Sequence, residues 1–324
     1  MTEALFQAIQ EAHQALRPQV LTTPLEYSVL LSEELGCEVY FKCEHNQRTG
    51  SFKYRGASNK IRLLSDAVSK QGVITASTGN HGQGLALAGR GRQVPVTVYA
   101  PASASAAKLK KIELYGATIE LVEGDALAAE LAAGKAARER GMTFVSPYND
   151  LDIIAGQGTV GMEIAEQLPP ADAVFIAVGG GGLITGAASA LKQLQPQVEI
   201  VACWPEVAHS MHACLQAGKI VAVAEAETLS DGTAGGVEPG SVTFELCQQL
   251  IDRQVLVSEE EIAGAMRSLA DQEQWMVEGA AGVALAALVR CRDEYQGKKV
   301  VVVLCGRNIT LDKYLRVLYR DTAE

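Results

Sequence analysis

Residues 173–186 read AVFIAVGGGGLITG, an apolar run that ends in four successive glycines. The run lacks the alternation of polar and apolar residues found in half-exposed strands, so it predicts a strand covered on both faces. A helix is predicted to begin at about Leu183. Glycine N–H groups can close on an anion without side-chain obstruction, and a helix start adds partial positive charge. The junction therefore predicts a phosphate site, although a plain strand-to-helix turn is the alternative.

Short β-rich runs alternate with Ala-, Leu- and Glu-rich segments from Gly72 onward, which is typical of an α/β fold. The predicted strands are GVITAS, PVTVYA, TIELV, TFV, AVFIAVG, EIVACW, QVLVS and KVVVVLC. They form two groups, at residues 72–145 and 173–304, and a helical segment at residues 153–168 lies between them. This pattern predicts two open, mostly parallel sheets covered by helices, with the ligand site in the cleft between them.

The composition predicts an intracellular protein that acts on a small molecule. The chain has 324 residues, which suggests about two domains, and a net charge of −10 with scattered acidic residues. Such a charge argues against a nucleic acid or an anionic membrane as partner. Seven cysteines without a CxxC pair predict reduced thiols. Since the sequence shows neither a signal peptide nor an apolar run of about 18 residues, a cytoplasmic location is expected.

The glycine run does not fit the common nucleotide motifs. A P-loop requires lysine at the position of Ala187, so a nucleoside triphosphate is a weak candidate. The dinucleotide pattern GxGxxG is matched only loosely, through Gly181 and Gly186, and no acidic ribose partner follows at the expected distance. NAD is therefore the alternative cofactor, and an NAD-dependent oxidoreductase is the function that it would imply.

Polar residues follow two other predicted strands. The segment STGNHGQG, residues 77–84, combines hydroxyl groups with the free amides of a helix start, a combination that suits a carboxylate. A simple helix cap would need only one such residue. The last strand delivers Cys305 at its carboxyl end, where open α/β sheets bind ligands. A buried, inert cysteine is the alternative interpretation of Cys305.

A lysine between two aromatic residues is the candidate nucleophile. Lys53 stands in TGSFKYRGA, residues 49–57, just ahead of a predicted helix. Enclosure there would favour the neutral amine and make it nucleophilic, whereas an exposed lysine would have no such role. Three other features receive structural interpretations. Glu278 is assigned to a helix start, residues 230–236 to a loop, and the pair His209 and His212 to the surface, since the pair lacks a third metal ligand at a set spacing.

Five motifs together resemble the fold type II pyridoxal-phosphate enzymes, and most closely the threonine/serine dehydratases and serine racemase. The motifs are TGSFKYRGA, STGNHGQG, GGGGL, EGAAG and LCGRN, in this order, within a resemblance that extends from about Thr22 to Asn308. The resemblance implies a two-domain fold like that of the tryptophan synthase β subunit. The large domain would comprise residues 1–44 and 147–324, and the inserted small domain residues 45–146. A homodimer is implied as well.

The resemblance also implies how pyridoxal 5'-phosphate is held. Lys53 would form the Schiff base, and Phe52 would lie beside the cofactor ring. Asn80 would bind the ring hydroxyl, and Cys305 would face the pyridine nitrogen. The phosphate would be bound by Gly179, Gly180, Gly181, Gly182 and Leu183.

On the substrate side, the resemblance implies that one loop grips the substrate carboxylate through Ser77, Thr78, Gly79 and His81. Thr78 stands where serine racemase has a catalytic serine, on the opposite face of the ring from the lysine. Arg307 lies close to the cofactor end of the site in sequence, where an arginine could recognise a second carboxylate. Glu206 lies near the segment beside which related enzymes carry a divalent cation, so Glu206 and Mg²⁺ are expected as a metal site.

The function implied is an ammonia-lyase, which converts a β-hydroxy L-amino acid such as threonine or serine into a 2-oxo acid and ammonia by α,β-elimination. A neutral group at Cys305 makes the ring a weaker electron sink than an aspartate would, and this favours elimination over racemisation. The alternatives are a dehydratase of 3-hydroxyaspartate or of the hydroxyectoine pathway, and serine racemase. A non-catalytic amino-acid sensor is an alternative of a different class.

Overall fold

Two sheets form the framework of the computed structural model, which describes residues 2–124 and 126–319. The strands of this part of the chain are β1 Leu25–Tyr27, β2 Glu38–Lys42, β3 Val73–Ala76, β4 Val96–Pro101, β5 Thr118–Val122, β6 Thr143–Phe144, β7 Ala173–Ala177, β8 Glu199–Pro205, β9 Arg253–Val257 and β10 Lys299–Val303. The larger sheet has the order β1-β2-β10-β7-β8-β9, and the smaller sheet has the order β5-β4-β3-β6.

Helices cover both sheets. They are α1 Thr2–Leu16, α2 Val29–Leu35, α3 Lys53–Leu63, α4 Asp66–Gln71, α5 Asn80–Arg92, α6 Ala106–Leu114, α7 Ala126–Arg140, α8 Leu151–Gln167, α9 Gly182–Leu194, α10 Ser210–Ala217, α11 Val242–Leu250, α12 Glu259–Gln272, α13 Gly279–Arg290 and α14 Leu311–Leu318. Helix α13 packs against four strands of the larger sheet, and α7 packs against all four strands of the smaller one.

The predicted α/β fold with two mostly parallel sheets is confirmed. Each strand pair is parallel except β1 with β2. All five residues of β7 are buried, as its unbroken apolar run predicted. The eight predicted runs all form strands, but β1 and β2 were not predicted, because β1 has only three residues and β2 has a charged residue at each end.

The predicted domain limits, residues 1–44 with 147–324 and residues 45–146, remain a prediction. The strands of the smaller sheet all lie between Val73 and Phe144, whereas β1 and β2 precede this segment and pair with the late strand β10. The chain thus leaves the larger sheet after β2 and returns to it at β7. This path brings the loops that follow β3, β7 and β10 to a cleft between the sheets.

A buried cluster of four charged residues anchors helix α3 in this framework. Arg55 lies on α3, and its guanidinium binds Glu44 and Glu163 with N–O distances of 2.7 Å to each. Lys42, at the end of β2, binds the other oxygen of Glu163 at 2.6 Å. The two positive and two negative charges balance, so none is left buried without an opposite charge. The cluster fixes the first turn of α3, where Lys53 lies, to β2 and α8.

Two features of the sequence bear on the environment of the protein. All seven cysteines are buried and have free thiols. Among the helices in the described ranges, none has both the length and the apolar character needed to cross a membrane.

Candidate active site

A cavity of about 430 Å³ lies in the cleft between the two sheets. Most of the site residues predicted from the sequence line it, although they come from distant parts of the chain. These residues are Phe52, Lys53, Ser77, Thr78, Gly79, Asn80, His81, Gly179, Gly180, Gly181, Gly182, Leu183 and Cys305. The structure therefore brings the predicted nucleophile, the predicted carboxylate loop and the predicted phosphate loop to one place.

Lys53 is the first residue of α3, and its side chain reaches into the cavity. Its Nζ donates a hydrogen bond to the carbonyl oxygen of Pro147 at 2.8 Å and lies 5.2 Å from the centre of the Phe52 ring. Burial lowers the pKa of Lys53 to about 8, and the nearby charge of Glu278 opposes this shift only in part. The amine is therefore much more often neutral near neutral pH than a solvated lysine, as a nucleophile requires.

The glycine loop between β7 and α9 fits a phosphate. Gly181 has φ of 89° and stands before α9, where a glycine has no side chain to cap the first helical amides. A Cβ atom at Gly180 would lie 2.3 Å from the ring of Tyr148, so only glycine allows the loop to pass there. The Thr243 hydroxyl donates to the carbonyl oxygen of Gly180 at 2.7 Å and orients this peptide. These uncapped amides at a helix start are the donors that an anion needs.

The loop after β3 resembles the glycine loop in its electrostatics. Helix α5 also starts after a glycine, Gly79, so its first amides have no side-chain cap. The Ser77 hydroxyl accepts a hydrogen bond from the amide of Gly79 at 3.3 Å and shapes the turn. His81 is held by the carbonyl oxygen of Val145 at 3.2 Å, and burial lowers its pKa to about 3. His81 is therefore neutral, and the helix start supplies the attraction for a carboxylate.

Cys305 follows β10 and presents an un-ionised thiol to the cavity. Burial raises the pKa of this thiol well above its usual value, and the charge of Glu278 raises it further. The backbone of the same residue is tied to the lysine segment, since its carbonyl oxygen accepts from the amide of Phe52 at 3.1 Å. A neutral thiol is the kind of group that the sequence predicted at this position.

Besides Thr233, five residues with polar or charged side chains that the sequence did not assign to the site also line the cavity. They are Lys108, Tyr148, Asp231, Glu278 and Asn308. Lys108 and Asp231 face each other across the cavity, with Nζ and Oδ2 3.3 Å apart. Glu278 does precede a helix, as predicted, but its side chain binds Asn80 of another element. The EGAAG motif that begins at Glu278 contributed to the family resemblance, but the resemblance gave the Glu278 side chain no role in the site.

Arg307, predicted to bind substrate, lies outside this cavity. Its side chain is exposed, and Nη1 donates to the Oδ1 atom of Asn46 at 3.2 Å. It lines a separate cavity together with Arg48, Arg90 and Arg92. The cause is the backbone after β10: the amide of Arg307 donates to Gly50, and the next residue, Asn308, points into the site instead.

Glu206, predicted as a metal ligand, forms a surface ion pair with Arg290 at 3.0 Å. Within residues 2–124 and 126–319, no group of three or more His, Cys, Asp and Glu side chains is arranged to hold a metal ion. His209 and His212 have ring centres 5.8 Å apart, and His212 packs against Trp204. The charge of the Glu206 carboxylate is thus paired with the guanidinium of Arg290.

Comparisons with known proteins find several similar chains. A family model described as pyridoxal-phosphate dependent enzyme matches residues 16–306. The L-threonine ammonia-lyase of Thermotoga maritima is 42% identical over 311 residues, which cover 96% of this chain and 77% of that protein. The processed form of threonine deaminase isoform 2 from Solanum lycopersicum has a TM-score of 0.93 at 34% identity, covering 98% and 93% of the two chains. Serine racemase from Dictyostelium discoideum has a TM-score of 0.87 at 35% identity, covering 94% and 99%.

Proposed function

The chain belongs to the family of pyridoxal-phosphate-dependent enzymes, and we propose that it removes water and then ammonia from β-hydroxy L-amino acids, with threonine and serine as its substrates. It is a dehydratase of the threonine ammonia-lyase type, and so a carbon–nitrogen lyase. The resemblance seen in the sequence motifs is confirmed by the family match. The expected cofactor, pyridoxal 5'-phosphate, is therefore retained, and the alternative of NAD is set aside.

The observation that carries the proposal is that Lys53 and the glycine loop of residues 179–182 line the same cavity. An aldehyde cofactor with a phosphate group needs an amine at one end and uncapped amides at the other. Lys53 provides the amine, and the start of α9 provides the amides. Phe52 and Asn80 line the same cavity, and Cys305 would offer a neutral thiol to the ring nitrogen.

Bound pyridoxal phosphate supplies an electron-withdrawing ring that makes the Cα proton of the substrate acidic. The residues of the chain then have to bind the carboxylate and move the protons. The carboxylate is assigned to the start of α5, where Ser77, Thr78, Gly79 and His81 line the cavity. The neutral amine of Lys53 is the base that takes the Cα proton, since its lowered pKa leaves it partly unprotonated near neutral pH. The Thr78 hydroxyl would lie on the face of the cofactor ring opposite Lys53.

Threonine and serine are proposed ahead of 3-hydroxyaspartate because of the charges in the cavity. The arginine that could have bound a second carboxylate, Arg307, lines a different cavity. Lys108 does line the site, but Asp231 already pairs with it at 3.3 Å. A substrate with a second carboxylate would have to displace Asp231 or approach its negative charge.

A substrate panel tests the proposal. The purified holoenzyme is incubated with L-threonine, L-serine and L-threo-3-hydroxyaspartate, and the 2-oxo acid and ammonia are measured. Parallel assays with and without Mg²⁺ test the expected cation. We expect product from threonine and serine, and neither product nor the visible cofactor band in Lys53→Ala. The variant Lys135→Ala removes an exposed lysine of α7 and should behave as wild type. Product formation by Lys53→Ala would contradict the proposal.

We further propose that the enzyme is a cytoplasmic homodimer. The seven unpaired, buried cysteines support a reducing compartment. The dimer follows the family resemblance, and sedimentation equilibrium of the full chain measures it directly. A monomer across the concentrations used for the activity assay would contradict this part of the proposal.

A further inference from the structure

Glu278 is a buried carboxyl group in the wall of the cavity, and it has no part in the reaction described above. The residue is 5% exposed and precedes helix α13. Its Oε1 accepts a hydrogen bond from Nδ2 of Asn80 at 2.8 Å, and its Oε2 accepts one from the backbone amide of Asn308 at 3.0 Å. Both carboxylate oxygens thus bind donors that belong to other elements of the fold.

The side-chain amide of Asn80 is fixed at both ends by this arrangement. Its Nδ2 donates to Glu278, and its Oδ1 accepts from Nδ2 of Asn308 at 2.6 Å. Asn308 is itself held, because its Nδ2 also donates to the carbonyl oxygen of Thr49 at 2.8 Å. A flip of the Asn80 amide would set donor against donor and acceptor against acceptor. The orientation of this amide is therefore determined by its two partners.

One N–H group of Asn80 remains for a ligand. The Nδ2 atom carries two hydrogens, Glu278 takes one of them, and Asn80 lines the cavity. The backbone leaves room for the carboxylate at this point, since a Cβ atom at Gly306 would lie 2.4 Å from Oε1 of Glu278. Glycine at position 306 is thus a condition for the contact between Glu278 and Asn80.

We propose that Glu278 is a positioning residue, which holds the Asn80 amide so that its second N–H is directed to an acceptor on the molecule bound in the cavity. This inference rests on the proposed function, in which that molecule is the cofactor. The carboxylate is suited to the task because it accepts at both oxygens. A glutamine would present an N–H group to one of the two donors, and one hydrogen bond would be lost.

The proposal implies a pH dependence, because only the ionised carboxylate accepts both hydrogen bonds. Burial and the charge of Asp231 raise the pKa of Glu278, the bonds from Asn80 and Asn308 lower it, and the net result is a pKa of about 7. The charged and titratable groups that face Glu278 are Lys53, Lys108, Lys111, Asp231 and Cys305. The Asn80 amide is therefore held most firmly above about pH 7.

A double-mutant cycle tests the inference. Wild type, Glu278→Gln, Asn80→Ala and the double variant are titrated with pyridoxal phosphate, and the dissociation constant is measured from the cofactor absorbance. In each single variant the dissociation constant for the cofactor should rise at least about tenfold, because one hydrogen bond to a charged or oriented group is lost. If Glu278 acts through Asn80, the double variant should bind no more weakly than Asn80→Ala alone. Lys53 titrates in both proteins, so the part of the pH dependence near pH 7 that wild type shows and Glu278→Gln lacks is the part due to Glu278.

Two results would overturn the inference. The first is a double variant whose loss equals the product of the two single losses, since independent sites behave in this way. The second is unchanged cofactor binding in Glu278→Gln. Glu139→Gln, which removes an exposed carboxylate of α7, is the matched control and should bind as wild type. If Glu278→Gln does not fold, Glu278→Asp replaces it in the cycle. Because binding is measured without turnover, failure of the lyase reaction would leave this result readable.

Discussion

The amide of Phe52 donates a hydrogen bond to the carbonyl oxygen of Cys305 at 3.1 Å. Next to this contact, Ser51 and Gly306 form an isolated antiparallel bridge. These backbone contacts join the segment that carries Lys53 to the end of the central strand β10. The relative position of the amine and the thiol is therefore set by main-chain hydrogen bonds, and side chains can be exchanged there without moving the backbone.

Replacement of Cys305 by serine is expected to preserve cofactor binding, whereas replacement by alanine is expected to weaken it. The buried thiol is un-ionised, and a serine hydroxyl is likewise a neutral hydrogen-bonding group of similar size. Alanine removes the group that would face the ring nitrogen, so its dissociation constant for the cofactor should rise about tenfold, as for one lost hydrogen bond. Cofactor titration measures both. Equal affinity in the two variants would show that the group at position 305 makes no contact with the cofactor.

Gly180→Ala is expected to abolish tight cofactor binding. The added Cβ atom would lie 2.3 Å from the Tyr148 ring, so the ring or the loop has to move. Either movement misplaces the amides that the phosphate needs, and affinity should fall by more than about a hundredfold, since several charge-assisted hydrogen bonds depend on the loop. Gly91→Ala is the matched control, because nothing lies within 4 Å of its Cβ position on α5. It should bind as wild type and be slightly more stable, by up to about 1 kcal/mol.

Wild-type affinity in Gly180→Ala would mean that the phosphate lies elsewhere. Thermal unfolding of the cofactor-free variants separates this outcome from a general loss of structure. A Gly180→Ala protein that unfolds near the wild-type temperature but does not bind cofactor would support a local effect.

Glu163→Gln is expected to destabilise the fold far more than Glu166→Gln on the same helix. Glu163 is buried and shared by Arg55 and Lys42, so the neutral amide would leave two buried cations with too little negative charge. Such a loss costs about 3 kcal/mol or more. Glu166 is 45% exposed and binds both Arg17 and the buried His13. Its ion pair with Arg17 is worth less than about 1 kcal/mol, and a glutamine can keep a hydrogen bond to His13. Urea unfolding measures both variants.

Since Arg55 lies two residues after Lys53, Glu163→Gln should also weaken cofactor binding. Equal stability of the two variants would show that Lys42 and Arg55 find other partners when the charge of Glu163 is removed. In that case α3 would not depend on the buried cluster for its position.

The sequence predicted those parts of the site in which a residue type has a recognisable chemical role, such as glycine in an anion-binding loop or lysine as a nucleophile. The glycine run, the loop at residues 77–81 and Lys53 stand at junctions between strands and helices, where sequence alone indicates which atoms are free. Strands with both faces buried, such as β7 and β10, were predicted for the same reason, because burial leaves only apolar residues. Strand β2 was missed because its terminal Lys42 is charged yet buried in an ion cluster.

The remaining site residues depend on contacts that no local pattern encodes. Arg307 and Asn308 are neighbours in the chain, but a hydrogen bond from Arg307 to Gly50 decides which of them enters the cavity. Lys108 belongs to a helix with other, exposed lysines, and it lines the site opposite Asp231, a residue distant in sequence. Tertiary packing determines which of these side chains enter the cavity, and a single sequence gives no local signal of that packing.

Glu278→Gln is expected to become more stable relative to wild type as the pH rises. Burial raises the pKa of Glu278 to about 7 from a usual value of 4.5. A carboxyl with a raised folded-state pKa contributes stability that is fully present below the unfolded value and is lost as the pH rises through the folded value. Glutamine does not titrate, so the variant lacks this loss. Between about pH 5.5 and about pH 8.5, the unfolding free energy of wild type should fall by about 2 kcal/mol relative to the variant.

Urea unfolding of the cofactor-free proteins at the two pH values measures this difference. Other titrating groups, including Lys53, are common to both proteins, so their contributions largely cancel in the comparison. A difference that stays constant with pH would show that Glu278 is ionised with an ordinary pKa, and that Asn80 and Asn308 compensate fully for its burial. A growing difference would show that the site retains a buried carboxylate at a cost to folding, as expected of a group that is needed for function.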